Sequence, residues 1–177
     1  MKRGLRKFVL TAHITFAVSW LGTVAGFLAL AIVGLNSQDS QVVHSVYLAM
    51  DLMTRFVIVP LSFAPLVTGP VLSLGTPWGL FRHYWIVIKL IITAISTIIL
   101  LIHLQPISYL PEAAAKGALS SADRPIQVQM VVASTAALIA LLVVNILAVY
   151  KPKGMTRYGW RKQYEERAQP PDVNAEI

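Results

Sequence analysis

Apolar residues follow one another along the chain in four stretches that are long enough to cross a bilayer. A spanning helix needs about 20 predominantly apolar residues, because each residue advances the helix by about 1.5 Å. The pattern predicts spans at about 8–35, 42–74, 84–104 and 128–150. The first stretch is too long for the apolar part of a signal peptide and lacks a small-residue cleavage site, so we expect it to be retained. Residues 1–150 should therefore form an all-α integral membrane protein, a four-transmembrane-helix bundle.

Composition and charge support this class and add an orientation. Of the 177 residues, 56% are hydrophobic and 13% are charged, whereas a soluble domain carries about 25% charged residues. The net charge of +7 comes from basic residues that flank the apolar stretches, which the positive-inside bias explains without a nucleic-acid partner. We expect a multi-pass protein of the bacterial inner (cytoplasmic) membrane, with the lipid bilayer around it and both the N- and C-termini cytoplasmic. Residues 151–177 should be a basic juxtamembrane segment followed by a disordered cytoplasmic tail.

Prolines mark the irregular parts of the pattern. Pro60, Pro65 and Pro70 recur every five residues in the second stretch, and each removes a backbone donor and favours a bend. The same stretch is about ten residues longer than a span requires, so its outer end should project beyond the hydrocarbon. In the connection after the third stretch, we expect a short surface helix that begins near Pro111.

Four residues lie at matching depths in four different helices. His13, Gly69, Lys89 and Asn145 each fall about five residues inside a predicted span, which places them about 7–8 Å below its edge. An imidazole, an amine and an amide at one level predict a polar cavity, in which the glycine leaves room for a flat ligand. Simpler interpretations are also open, since the imidazole can bond a carbonyl group and the ammonium can reach back to the headgroups. If the ammonium stays in the hydrocarbon, its insertion into the membrane costs about 2.5–3.5 kcal/mol.

The first helix has two contrasting faces. One face carries a stripe of small residues, Thr11, Thr15, Ser19, Gly22 and Gly26. Small residues let helices approach closely in membranes, so we expect close packing on this side, including a homodimer through the Gly22/Gly26 face. His13 and Trp20 lie on the other face, whose aromatic character suits a macrocycle but is also common in ordinary packing.

A second group of candidate ligands lies toward the opposite end of the bundle. His44 and His103, together with Met50 and Met53, have the ligand types of a copper site, although the two methionines lie off the His44 face. Two histidines at similar depth would also suit a haem, in addition to any macrocycle beside His13. Asp51 and Arg55 are spaced i,i+4 in the favourable order and should form an ion pair. The chain has no cysteine, which excludes thiolate metal sites and covalently attached c-type haem.

Three short segments resemble known membrane families. HITFAVSWLG (13–22) is similar to the His-x6-Trp-x-Gly opening of CopD-like copper-resistance membrane proteins. HYWIVIKLIIT (83–93) resembles a lysine-bearing helix of those proteins and of HemJ-type protoporphyrinogen oxidases, which are four-helix membrane proteins associated with haem b. With VYKPKGMTRYGWRKQ (149–163) after the last span, the overall likeness is to an uncharacterised bacterial four-helix family, a domain of unknown function.

The HemJ-type likeness implies that His13 binds haem and that Lys89 acts together with it. The continuation AGFLALAIVGL (25–35) departs from the HemJ-type pattern, so we carry over haem binding and not porphyrinogen oxidation. The CopD likeness implies copper as the alternative cargo.

Our leading hypothesis is a haem b-binding membrane protein with a cytochrome-like electron-transfer or redox role, acting with a redox partner protein. His13 would be an axial ligand, and the opposite position would be filled by Lys89 deprotonated by burial, by His83, or by nothing. A charged Lys89 would instead pair with a haem propionate, and Asn145 and Trp20 would complete the site.

Two other functions stay open, and so does catalysis. The first alternative is a copper transport or resistance accessory protein that uses His44 and His103, and the second is a non-catalytic structural membrane subunit. The sequence has no G-x-S-x-G, P-loop or H-E-x-x-H motif, so it indicates no catalytic residues. If the protein is an enzyme, we expect a membrane haem oxidoreductase.

Overall fold

The four apolar stretches are helical in the computed structural model, which describes residues 2–75, 79–116, 121–152 and 154–168. The α-helices within these ranges are α1 (Arg3–Asn36), α2 (Ser40–Met53), α3 (Val59–Leu74), α4 (Tyr84–Ile102), α5 (Leu104–Ala115), α6 (Arg124–Tyr150) and α7 (Arg157–Ala168). A π-helical turn, Thr54–Ile58, joins α2 to α3, and a 3-10 turn, Ser121–Asp123, precedes α6.

Four helical segments of the described chain are long and apolar enough to cross a membrane. They are Arg3–Asn36, Ser40–Leu74, Tyr84–Ala115 and Arg124–Tyr150. The all-α architecture with four potential spans is therefore confirmed. Each helix extends beyond its predicted apolar stretch, because intrahelical hydrogen bonds continue through flanking polar residues that apolarity does not mark.

The third helical segment differs from the prediction. We expected it to end near residue 104 and a separate surface helix to begin near Pro111, but α5 begins at Leu104 and contains Pro111. Pro106 explains the break between α4 and α5, since it has no N–H to donate to the carbonyl of Ile102 one turn earlier. The helix resumes at once, and α5 packs against α2 through buried side chains that include Ile107 and Leu110.

The wide turn in the second segment also has a proline beside it. Pro60 cannot donate to the carbonyl of Phe56, and its ring would press against that group in a regular α-helix. In the π-helical turn the N–H of Val59 instead bonds the carbonyl of Thr54, five residues earlier. The turn thus lets the helix continue as one unit from Ser40 to Leu74 despite its prolines.

Helix α1 is the centre of the bundle, since it packs against α2, α3 and α6. Its buried side chains include Trp20, Val24, Phe27 and Ala31, which recur at helical spacing along one face. The prediction that the small-residue face makes the close contacts is wrong within the bundle. Gly22 and Gly26 are exposed, and a Cβ added at either would have no neighbour within 4 Å.

Four helix ends meet at one end of the bundle, which we call the basic end: the start of α1, the end of α3, the start of α4 and the end of α6. Arg6, Ser73, Lys89 and Lys151, one from each of these regions, line the same cavity there. The consecutive spans therefore alternate in direction, as the short connections require.

Helix α7 is fixed to the bundle at the basic end. The Thr156 N–H donates to the carbonyl of Arg82 at 3.0 Å, and the Thr156 hydroxyl accepts from the N–H of Gly159 at 3.0 Å. Gly159 is buried, and a Cβ there would collide with the carbonyl oxygen of Arg82. The predicted juxtamembrane segment is thus partly a docked helix. The tail predicted to be disordered falls largely on 169–177, outside the described residues.

Candidate functional site

A cavity of about 560 Å³ lies between α1, α3, α4 and α6 at the basic end. This volume falls within the range of roughly 300–1,000 Å³ that is usual for small-molecule sites. Counted along the helices from the basic end, the lining residues fall at three depths. We call these depths the rim (Arg6, Ser73, Lys151), the middle (His13, Gly69, Lys89, Asn145) and the floor (Trp20, Pro65, Thr93, Leu141). The structure therefore brings the four residues of matching depth to one cavity.

The depth of the cavity follows from its helical lining. On α1 the lining runs from Arg6 through His13 to Trp20, three residues seven apart that return to the same helix face. Fourteen residues of helix correspond to about 21 Å at 1.5 Å per residue. The cavity is therefore a tall slot that starts at the charged end of the bundle and reaches into its apolar part.

Thr68 orients the imidazole of His13. The His13 Nδ1 lies 2.7 Å from the Thr68 Oγ1, and the Thr68 hydroxyl donates its hydrogen to the carbonyl of Ala64 at 2.7 Å. With the hydroxyl hydrogen directed to the Ala64 carbonyl, Thr68 accepts from Nδ1–H, and this assigns the proton of the neutral ring to Nδ1. The Nε2 atom then carries a lone pair and makes no hydrogen bond within the described residues, as a metal ligand or a proton acceptor requires.

Gly69 provides the space beside the imidazole. A Cβ at this position would lie 3.4 Å from the Cε1 of His13, at the limit of ordinary contact. The missing side chain therefore accommodates the ring of His13 itself as well as widening the slot.

Lys89 reaches the cavity with little compensation from the protein. Its Nζ lies 5.6 Å from the ring centroid of Trp85, and it forms no ion pair or hydrogen bond with another described residue. A cation–π contact contributes about 0.5–2 kcal/mol, less than the roughly 2.5–3.5 kcal/mol cost of inserting an ammonium group. Lys89 is tolerable in this helix because it faces a cavity that other polar side chains also line, and not the acyl chains.

Two more polar side chains of the lining have unused hydrogen-bonding capacity. Asn145 donates from Nδ2 to the carbonyl of Leu141 at 2.8 Å, and its Oδ1 has no partner among the described residues. Trp20 is only 3% exposed, and its Nε1 has no hydrogen-bond partner in the described structure. Buried indole N–H groups usually find a partner, and this one is shielded from the cavity as well as from solvent.

The remaining predicted site residues lie elsewhere. His83 immediately precedes α4, pairs with Met155 in an isolated bridge and is not among the cavity-lining residues. At the opposite end, the His44 Nδ1 lies 3.2 Å from the carbonyl oxygen of Pro111. His103 bonds the Ile99 carbonyl through Nδ1 and lies 3.2 Å from Gln129 through Nε2.

No described contact joins His44 to His103. Within the described residues there is also no group of three or more His, Cys, Asp or Glu side chains placed to hold a metal ion. A copper site and a second haem at this end stay predictions without geometric support. The predicted Asp51–Arg55 ion pair is confirmed at 2.9 Å, and Ser108 of α5 bonds both side chains.

A wider concavity of about 780 Å³ lies between α4 and α6, with Ile99, His103 and Gln129 among its lining residues. It is a shallow groove open along its length, and it lies on the outer surface of two helices that would meet acyl chains. The enclosed slot at the basic end, with its converging polar groups, is therefore the candidate site.

Sequence reasoning missed three features of the site. Thr68 gave no signal, because its bond to His13 joins residues 55 positions apart on different helices. The sequence argument used Arg6 and Lys151 only to assign the orientation of the bundle in the membrane, although both residues line the cavity. The seven-residue spacing from Arg6 to His13 would have placed the arginine on the same face.

No family model, no curated protein and no solved structure matches this chain. The CopD-like and HemJ-type resemblance therefore rests on its short motifs alone.

Proposed function

We propose that the protein binds haem b in the cavity at the basic end and has a cytochrome-like electron-transfer role. The observation that carries this proposal is the orientation of His13. Its Nδ1–H is held by Thr68 at 2.7 Å, which leaves Nε2 free of protein partners inside a slot between four helices. An imidazole oriented by a second hydrogen bond is the usual form of a histidine metal ligand.

The other lining residues fit a macrocycle with two carboxylates. The slot is tall, and most of its walls are aliphatic or aromatic, including Ile14, Ile86 and Leu90. Its charges lie at the rim and middle, where Arg6, Lys151 and Lys89 can bind propionates. The HemJ-type likeness of residues 13–22 and 83–93 supports the same ligand.

Bound haem would supply one-electron redox chemistry, and the residues of the chain would set the conditions for it. His13 would bind the iron through Nε2, and Thr68 would hold the ring in the correct tautomer. The apolar walls would exclude water and pack against the macrocycle. The described cavity lining has no carboxylate, so we propose electron transfer to a redox partner protein rather than acid–base turnover of a substrate.

We also propose that the basic end faces the cytoplasm of a bacterial cell, with the spans in the inner membrane. Lys2, Arg3, Arg6 and Lys7 precede the apolar part of α1, and further basic residues follow α6. The positive-inside bias assigns this end to the cytoplasmic side. The haem would then lie in the cytoplasmic half of the bilayer.

The alternatives have weaker support. No contact joins His44 to His103 within the described residues, and no group of three or more His, Cys, Asp or Glu side chains there is placed to hold a copper ion. A structural subunit would not explain why His13 is held in a single tautomer beside a cavity. The open Gly22/Gly26 face is available to a second copy, so the homodimer stays part of the proposal.

An absorption spectrum of the detergent-purified protein tests the proposal. In material from cells supplied with a haem precursor, we expect a Soret band and sharpened visible bands after dithionite. His13→Ala should lower the haem content at least about tenfold, because loss of the hydrogen-bond partner of a metal ligand alone lowers metal affinity by about 10–100-fold. His103→Ala is the matched control and should keep its haem. A wild-type protein without a Soret band contradicts the proposal.

A further inference from the structure

Positive charge dominates the lining of the cavity. Arg6, Lys89 and Lys151 come from three different helical regions and converge on one slot, and the described lining contains no aspartate or glutamate. Like charges that converge on one slot raise each other's electrostatic energy. Such a cluster is favourable when an anion binds in it.

The reach of Lys89 shows where that anion would lie. Side chains on a helix lean toward the helix N-terminus, and α4 begins at the basic end. The ammonium lies 5.6 Å from the ring centroid of Trp85, one turn nearer that end, and Lys151 lines the same cavity at the rim. Lys89 therefore extends toward the mouth of the slot, whereas His13 is held by Thr68 on α3.

We infer that Lys89, Lys151 and Arg6 form an anion receptor that selects an amphiphile with a carboxylate or phosphate group at the basic end. Lys89 binds this anionic group and is not an iron ligand. The identification of the anion as the propionates of haem rests on the proposed function. The receptor itself rests on the charges and the apolar walls, which also fit the phosphate of an anionic lipid.

The test compares two porphyrins that differ only in charge. Haem-depleted protein in detergent is titrated with haemin, which has two carboxylates, and with haemin dimethyl ester, which has none. We expect the wild type to bind haemin at least about tenfold more tightly than the dimethyl ester, because the ester loses at least one charge-assisted hydrogen bond. Lys89→Met should reduce this preference several-fold and leave the Soret position unchanged, and Lys89→Arg should retain it. Lys162→Met, on the exposed face of α7, is the control.

Two porphyrin results would overturn the inference. One is equal affinity of the wild type for the acid and the ester. The other is a shift of the Soret band in Lys89→Met, which would make Lys89 an axial ligand.

If neither porphyrin binds, the proposed function fails and a lipid experiment decides on the receptor. Native mass spectrometry would compare retention of phosphatidylglycerol with that of phosphatidylcholine. Preferential retention of phosphatidylglycerol by the wild type, lost in Lys89→Met, supports the receptor. Equal retention of the two lipids overturns it.

Discussion

At the scale of single residues, the proposed role of His13 as a haem ligand depends on one hydroxyl group. The Thr68 hydroxyl donates to Ala64 and accepts from His13, and this chain of bonds fixes both the ring orientation and the tautomer. Contacts in the fold also set the direction of Lys89, although its position in a span can be predicted from the sequence. Its direction became visible only with Trp85 and Lys151 in place.

Replacing Thr68 by valine should loosen the imidazole without changing the volume of the side chain much. We predict that Thr68→Val weakens haem binding by about 10–100-fold, as loss of an orienting partner usually does. Haem titration measures the effect. Thr135→Val removes an exposed hydroxyl on α6 that bonds only its own helix and should leave the affinity unchanged. Equal affinity in the Thr68 variant and the wild type would refute the orienting role.

At the scale of helices, the sequence predicted what depends on local apolarity. The four spans were found because membrane helices need long apolar runs, and the layer of His13, Lys89 and Asn145 was found because depth can be counted along a helix. Details that depend on contacts between distant segments were missed. The docking of α7 is one, since Gly159 and Arg82 meet only in the fold.

Two glycines of α1 allow a matched test of how the helices pack. A Cβ at Gly34 would lie 2.9 Å from the Cζ of Tyr47, which is 1% exposed and cannot move aside, whereas a Cβ at Gly22 meets nothing. We predict that Gly34→Ala destabilises the bundle by about 1–3 kcal/mol through overpacking. In monomeric protein, Gly22→Ala should be neutral or slightly stabilising, because the added Cβ meets nothing within the chain and alanine is the better helix former. Thermal unfolding in detergent compares the two variants, and an unchanged melting temperature for Gly34→Ala would contradict the close α1–α2 contact.

At the scale of the whole molecule, the order and direction of the spans bring together the start of α1 and the end of α6, where Arg6 and Lys151 line one cavity with Lys89 of α4. The class of protein and the number of spans followed from the sequence. The cavity did not, because its volume depends on how the side chains of α1, α3, α4 and α6 pack around it. The orientation across the membrane follows from the charge distribution and is open to a direct test.

The chain has no cysteine, so single cysteines can report orientation without background. Gln38→Cys lies in the connection between α1 and α2, and Lys162→Cys lies on α7, both exposed. If the basic end is cytoplasmic, a membrane-impermeant maleimide should label Gln38→Cys in spheroplasts, whose inner membrane is intact. It should label Lys162→Cys only after the membrane is opened. The reverse pattern would invert the proposed topology.

The most direct test of the central claim is chemical rescue of the proposed ligand. His13→Gly removes the imidazole and leaves space beside Gly69, so added imidazole can enter the slot and reach the iron. We predict that this variant is depleted of haem or has an altered Soret band, and that titration with imidazole restores the wild-type spectrum. A His13→Gly protein that holds haem with the wild-type spectrum before any imidazole is added would show that the iron is bound elsewhere.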